Sequence, residues 1–170
     1  VDDHELTKPD ATTYRAVAAR GNYLSLDRMD LQYAAKEVSR AMSKPTEADM
    51  ITLKRIGRYL KKYPRAVLVY SHQLPPKAIR VYSDSNWAGC IKTRKSTQGG
   101  TVMINGCCIK NWSSTQAIIS LSSGEAEFYG IVKAASVGLG VQATLRDLGV
   151  QLPLEINTDA TAAKGIASRK

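Results

Sequence analysis

Apolar and polar positions alternate with two different periods along the chain. The first third repeats every three to four residues, as helices do, and the middle repeats every two, as strands do. Thr12 or Thr13 can cap a first helix running to about Leu26. Asp27 to Asp30 form a polar break. Leu31, Ala34, Ala35, Val38 and Met42 then predict a second helix to about Ser43. Pro45 and Thr46 mark a new start, and Asp49 falls where a capping box needs its acid. Met50, Leu53, Ile56 and Leu60 form the apolar stripe of a third helix, and Lys54, Arg55, Arg58, Lys61 and Lys62 crowd its other positions. Such a basic face is either solvated or in contact with the phosphates of a bound duplex. Ala66 to Tyr70 is a short apolar run between Pro64 and Ser71, which predicts a strand. Pro75-Pro76 lies in a linker, and the domain boundary is expected there.

Beyond the linker, Ile79, Val81 and Ser83 alternate with Arg80, Tyr82 and Asp84, which predicts a strand. A polar loop from Ser85 to Ser96 follows, then Gly99-Gly100 and a strand from Thr101 to Ile104. Asn105-Gly106 is a strong two-residue hairpin turn, so Cys107 to Trp112 returns as the partner strand. Three consecutive strands therefore make an antiparallel meander. Ser122, with Glu125 three residues on, opens a long helix that ends before Gly149. Gly138 and Gly140 in its middle suggest close packing on the sheet. Leu154 to Thr158 reads as a fourth strand, expected to pair in parallel with the first, and Ala160 to Ala167 begins another helix.

Composition narrows the function classes. Lysine and arginine number 24 against 15 acids, for a net charge of +9, which favours a polyanionic partner. No apolar run approaches the length of a membrane span. Cys90, Cys107 and Cys108 are an odd number and make no disulfide framework, which fits a reduced, intracellular setting. Adjacent Cys107 and Cys108 should point to opposite faces of their strand, one into the core and one half-exposed. His4 and His72 give no Cys/His zinc spacing. Ser122-Ser123-Gly124 has no nearby histidine for a hydrolase triad, and no phosphate loop ending in Gly-Lys-Ser/Thr occurs. The start, Val1-Asp2-Asp3-His4, is no signal peptide, and Lys170 stops inside an expected helix. Both ends are expected to be cut from a longer chain.

Three acids carry the candidate chemistry. Asp84 ends the first core strand, Glu127 lies early in the long helix, and Asp159 follows the fourth strand. Ends of adjacent parallel strands and the start of a packed helix can converge. Converging carboxylates repel, and a divalent cation relieves them; hard oxygen ligands select Mg²⁺ or Mn²⁺. Each acid also has a bland reading, as a helix cap or a surface charge. Glu125 is expected to be a cap, through Ser122.

The motifs are Tyr82-Ser83-Asp84-Ser85-Asn86-Trp87-Ala88-Gly89-Cys90, Arg94-Lys95-Ser96-Thr97-Gln98-Gly99-Gly100, Leu121-Ser122-Ser123-Gly124-Glu125-Ala126-Glu127-Phe128-Tyr129 and Thr158-Asp159-Ala160-Thr161-Ala162-Ala163. In this order and spacing they resemble the ribonuclease H region of copia-type (Pseudoviridae-like) LTR retrotransposon polyproteins. Tyr14-Arg15, Asp30-Leu31-Gln32-Tyr33-Ala34, Leu53-Lys54-Arg55 and Arg58-Tyr59-Leu60-Lys61 resemble the end of the preceding reverse transcriptase. The resemblance implies a ribonuclease H-like α/β fold at 78–170, with a mixed sheet of a three-strand antiparallel meander plus a parallel strand. It implies a helical tail of the reverse transcriptase or connection region at 1–70. It also implies a final strand and a helix bearing a fourth acid, so the domain is expected to be C-terminally truncated and its metal site incomplete as it stands.

The implied activity is hydrolysis of the RNA strand of RNA–DNA hybrids with two Mg²⁺ ions, or Mn²⁺. Asp84, Glu127 and Asp159 match the catalytic, metal-binding acids. Asn86 stands where relatives often have another aspartate. Weaker nucleic-acid contacts are expected at Lys54, Arg55, Arg58, Trp87, Lys92, Arg94 and Lys95. The implied partners are the hybrid and the reverse transcriptase of the same polyprotein, with no membrane, in a virus-like particle of the cytoplasm or in the nucleus. The competing functions are a catalytically silent nucleic-acid-binding or tether fragment, and integrase or transposase chemistry on the same fold. A glutamate-bearing helix that precedes the last strand fits ribonuclease H better than the latter.

Overall fold

A computed structural model of the chain describes residues 3–168. Expectations placed on Val1, Asp2, Arg169 and Lys170 lie outside the described residues, as does the side chain of Ala162. The chain divides into two compact units, Val1–Val69 and Tyr70–Lys170.

The first unit is helical: α1 (Lys8–Leu24), a 3-10 turn (Met29–Leu31), α2 (Gln32–Arg40) and α3 (Glu47–Lys62). α1 begins earlier than the threonine pattern predicts. Thr7 is its cap and accepts from the Asp10 N–H, with Pro9 in the first turn, where a missing N–H costs nothing. Thr12 and Thr13 instead donate their hydroxyls to the carbonyls of Lys8 and Pro9. α3 carries the expected capping box between Thr46 and Asp49. Tyr14, Ala18, Val38 and Leu53 form the buried core. The Tyr14 hydroxyl donates to the Val38 carbonyl at 2.7 Å; burial, with the charge of Asp49, pushes this phenol up to about 12.

Residues 66–70 are not a strand. Val67 and Val69 are 79% and 78% exposed. An apolar run becomes a strand only where a neighbour completes its backbone hydrogen bonds. Among the described residues no strand pairs with this one.

The second unit holds β1 (Ile79–Asn86), β2 (Thr97–Ile104), β3 (Cys107–Thr115), α4 (Ser123–Asp147), β4 (Leu154–Asn157) and α5 (Thr161–Ala167). The sheet order is β3-β2-β1-β4. The meander pairs are antiparallel and β1 pairs with β4 in parallel, the ribonuclease H-like arrangement of a mixed sheet packed by helices. Asn105 and Gly106 both have positive φ, 48° and 79°, as a type I′ hairpin turn requires. β1 buries Ile79, Val81 and Ser83 and exposes Arg80, Tyr82 and Asp84, as its alternation predicts. Ile79, Val81, Val102 and Ala134 form the core between sheet and α4. Cys107 and Cys108 are both free and half-buried, so neither is a core residue. They begin an edge strand beside the hairpin turn, where linker residues rather than a further strand meet them. Gln73 Nε2 donates to Cys107 Sγ at 3.2 Å, and the Tyr70 hydroxyl donates to the Cys108 carbonyl at 3.0 Å.

Two close approaches hold α4 on the sheet. A Cβ on Gly138 would lie 2.7 Å from Leu154 Cδ1 and 3.0 Å from Val81 Cγ2, and one on Gly130 would lie 2.9 Å from Ser83 Oγ. Gly140 faces open space, so the packing role expected of it belongs to Gly130 instead. β2 begins at Thr97 and includes Gly99 and Gly100. Gly100 lies under the Trp112 ring, and a Cβ there would also sit 2.5 Å from the Tyr82 carbonyl oxygen. Backbone cannot move aside as a flexible side chain can. Gly100→Ala is therefore expected to destabilise the second unit by about 1–3 kcal/mol, as overpacking does. Gly99→Ala, whose Cβ would meet only an ordinary 3.5 Å contact, should cost less. Urea denaturation of the two variants measures the difference.

Candidate metal centre

The parallel register explains why two distant aspartates meet. Tyr82 pairs with Asn157, the last pair of the β1–β4 ladder. Asp84 and Asp159 each follow two residues later, so both lie at the same level beyond that ladder. Asp84 does not end β1 as expected, since the strand runs on to Asn86 against β2, while Asp159 follows the end of β4. Glu127 arrives from the start of α4. Ser122 Oγ accepts the Glu125 N–H at 3.1 Å, and the Glu125 carboxylate accepts the Leu121 N–H at 2.7 Å. Glu125 is thus committed to the cap, one residue short of a full reciprocal box, and Glu127 is left for the site. The close approach at Gly130 brings this part of the helix against β1.

One carboxylate oxygen each from Asp84, Glu127 and Asp159 lies within 4.8 Å of the others. Asp84 and Asp159 are exposed and Glu127 is half-buried. The Ser85 N–H donates to Glu127 Oε1 at 3.3 Å, while Oε2 is buried without a hydrogen-bond partner. Burial pushes the Glu127 carboxyl up from its ordinary value. The Ser85 hydrogen bond opposes that shift, and the charges of Asp84 and Asp159 add to it. An unpartnered buried carboxylate oxygen, facing two further carboxylates, fits a hard divalent cation. The clustered triad is compatible with a metal-binding catalytic site.

The other expected contacts lie in two places. Trp87 does not fill the core. It is 46% exposed, and its Nε1–H donates to the Ser120 carbonyl at 2.9 Å. Lys92 and Arg94 are exposed and Lys95 is half-buried, all on the β1–β2 loop of the same unit. Lys54, Arg55 and Arg58 are exposed on α3, in the first unit. The hydroxyl of Ser122 serves as the α4 cap, and His4 and His72 are exposed. Nothing in the sequence marks Ser96, Gln116 and Ser120 as buried, yet all three are. They lie in stretches that read as loops, where polarity carries no signal of burial.

Neutralising Glu127 removes a charge that burial and its neighbours disfavour, whereas its Ser85 hydrogen bond can survive in the amide. Glu127→Gln is expected to raise stability by about 1 kcal/mol in the presence of a chelator, the usual sign of a site strained for function. Thermal denaturation in EDTA checks this, and a lower midpoint for the variant would contradict it.

The fold and site together define a ribonuclease H-like α/β domain with an acidic cluster suited to a divalent metal. No family model matches the chain, and no solved structure matches it. It is 37% identical over 129 residues to an uncharacterized mitochondrial protein of Arabidopsis thaliana, covering 75% of this chain and 53% of that protein. It is 33% identical over 150 residues to a retrovirus-related Pol polyprotein from transposon RE2 of the same plant, covering 88% of this chain and 10% of the polyprotein. It is also 33% identical over 119 residues to secreted RxLR effector protein 161 of Plasmopara viticola, covering 70% of this chain and 83% of that protein. The chain is homologous to retrotransposon Pol polyproteins of the copia type. It spans about half of the mitochondrial relative and a tenth of the transposon polyprotein.

Proposed function

We propose that the chain carries the site with which a retrotransposon Pol polyprotein hydrolyses the RNA strand of RNA–DNA hybrids during reverse transcription. The observation that supports it is the convergence of Asp84, Glu127 and Asp159 from three separate elements around a buried oxygen with no partner. These three residues would hold two Mg²⁺ ions, with Mn²⁺ as a substitute. When bound, such ions activate the attacking water and stabilise the leaving oxygen of a phosphodiester.

The chain's own residues supply selectivity and position. Three clustered carboxylates repel a phosphate, so the scissile group approaches only when cations supply the countercharge. Hydrolysis then forms a bond from water oxygen to phosphorus and breaks the bond to the 3′ oxygen, leaving 3′-hydroxyl and 5′-phosphate ends. Trp87, half-exposed and tied by its nitrogen to Ser120, is a fixed surface for a sugar or base to stack on. Lys92, Arg94 and Lys95 on the β1–β2 loop, and Lys54, Arg55 and Arg58 on α3, contact phosphates. Residues 1–70 belong to the helical end of the reverse transcriptase and 78–170 to the ribonuclease H-like domain. The partners are the hybrid and that reverse transcriptase. No helix among the described residues is long and apolar enough to cross a membrane, and the site of action is intracellular, in a virus-like particle.

A labelled-hybrid assay on the intact polyprotein separates catalysis from binding. Asp84→Asn or Glu127→Gln should abolish Mg²⁺-dependent cleavage and largely spare binding. Neutralising Lys54, Arg55 and Arg58 together should weaken binding and reduce its log–log salt slope by about 3, near one per phosphate contact. Equal cleavage by wild type and Asp84→Asn would end the nuclease reading. Salt-sensitive binding with no cleavage by the wild type would replace it with a silent binding module.

A further inference from the structure

Glu127 is held weakly by its own contacts. One oxygen accepts a single N–H at 3.3 Å and the other accepts none. Its place is therefore set by the backbone of α4, and a second buried group reaches that backbone. Gln116 lies just after β3 and is 3% exposed. Its side-chain nitrogen donates to the Ala126 carbonyl at 2.7 Å and to Gln98 Oε1 at 3.3 Å. Its side-chain oxygen accepts the Ser120 hydroxyl at 2.9 Å, and its backbone N–H donates to the Ser96 carbonyl at 2.8 Å. Ala126 immediately precedes Glu127.

The amide can take only this orientation. The Ala126 carbonyl is a fixed acceptor, and a flipped amide would set oxygen against oxygen there. Both N–H donors are used, and the oxygen has a donor. A buried amide so satisfied fixes direction as well as distance, which an apolar side chain of the same size cannot do. The same link extends to the loop after β1. Ser96 Oγ accepts the Ala88 N–H at 3.1 Å, and the Ser120 carbonyl accepts the Trp87 indole N–H. The Gln116 side chain thus ties β2 and the loop before α4 to the turn that carries Glu127, and its backbone N–H adds the loop beyond Asp84 through Ser96.

We infer that Gln116 is a positioning residue for Glu127 and sets the divalent-cation affinity of the acidic cluster by holding the first turns of α4 in place. This rests on the site proposed above. It makes no direct contact with a cation and acts only through the Ala126–Glu127 backbone.

The test is a calorimetric titration of the full chain with Mn²⁺, at a temperature where every variant is folded. Gln116→Met keeps the approximate volume and removes both donors. It should weaken Mn²⁺ binding roughly 10- to 100-fold, the usual effect of losing a group that orients a ligand. Val141→Ala, in the core between the sheet and α4 but further along the helix, is the control for general loosening. It should lower stability while keeping affinity within about twofold, as independent sites do. If Gln116→Met does not fold, Ser120→Ala removes only the donor to the Gln116 oxygen and should weaken binding about threefold, the scale of one hydrogen bond. Unchanged affinity in the Gln116 or Ser120 variant overturns the inference, as does an equal loss in Val141→Ala. Asp84→Asn distinguishes the failure of the site itself. If it binds Mn²⁺ as the wild type does, the cation lies elsewhere and the inference falls with the site.

Discussion

The parallel ladder between β1 and β4 is the contact on which the second unit's chemistry depends. It runs from Ile79–Leu154 to Tyr82–Asn157, and its register delivers Asp84 and Asp159 to one level beyond its last pair. A slip of one residue would turn one aspartate to the opposite face. The register is held by burial of Ile79 and Val81 against Val102 and Ala134, each aliphatic side chain being worth roughly 1.5–3 kcal/mol. Against this stands the mutual repulsion of the carboxylates. For full charges near 5 Å it is on the order of 3 kcal/mol per pair at a surface dielectric, and less for the exposed aspartates after screening by salt. The core wins, and the acids are kept in an arrangement they would not choose alone.

That imbalance leaves the cluster with an excess of negative charge. The chain carries a net charge of +9, yet its acidic cluster repels a phosphate. Basic side chains stand on the β1–β2 loop and on α3, and such groups attract a polyanion whatever its sequence. A cation at the cluster would supply the local countercharge. On the proposed function, binding and hydrolysis draw on different residues, so variants at the two sets should separate them.

Much of the fold is legible in the sequence because its signals are local. The Asn105-Gly106 turn, the Thr46–Asp49 box and the Ser122 cap are each set by a few adjacent residues. The alternation of apolar and polar residues in β1 is enough by itself to put Asp84 on the exposed face. The stretch 66–70 fails as a strand because a strand needs a partner, and an apolar run does not say whether one exists. Gly140 fails as a packing residue because it lies two residues from Gly138, on another side of the helix. Ala126, Gly130, Ala134 and Gly138, spaced by four, are the small residues that face the sheet. The acids can be named from motif order, but their convergence rests on register, which no single strand encodes. Gln116 leaves no trace, since nothing in a polar loop marks one amide as buried.

The central claim is that Asp84, Glu127 and Asp159 form one cation site. Titrating Mn²⁺ into isotopically labelled chain and following paramagnetic broadening of the backbone amides tests it most directly. The account predicts that the amides of Asp84, Ser85, Glu127 and Asp159 broaden first and together, and that they stay sharp in Asp84→Asn at the same Mn²⁺ concentration. Early broadening centred on other acids, such as Glu37 or Asp147, with these four amides unaffected, would contradict it.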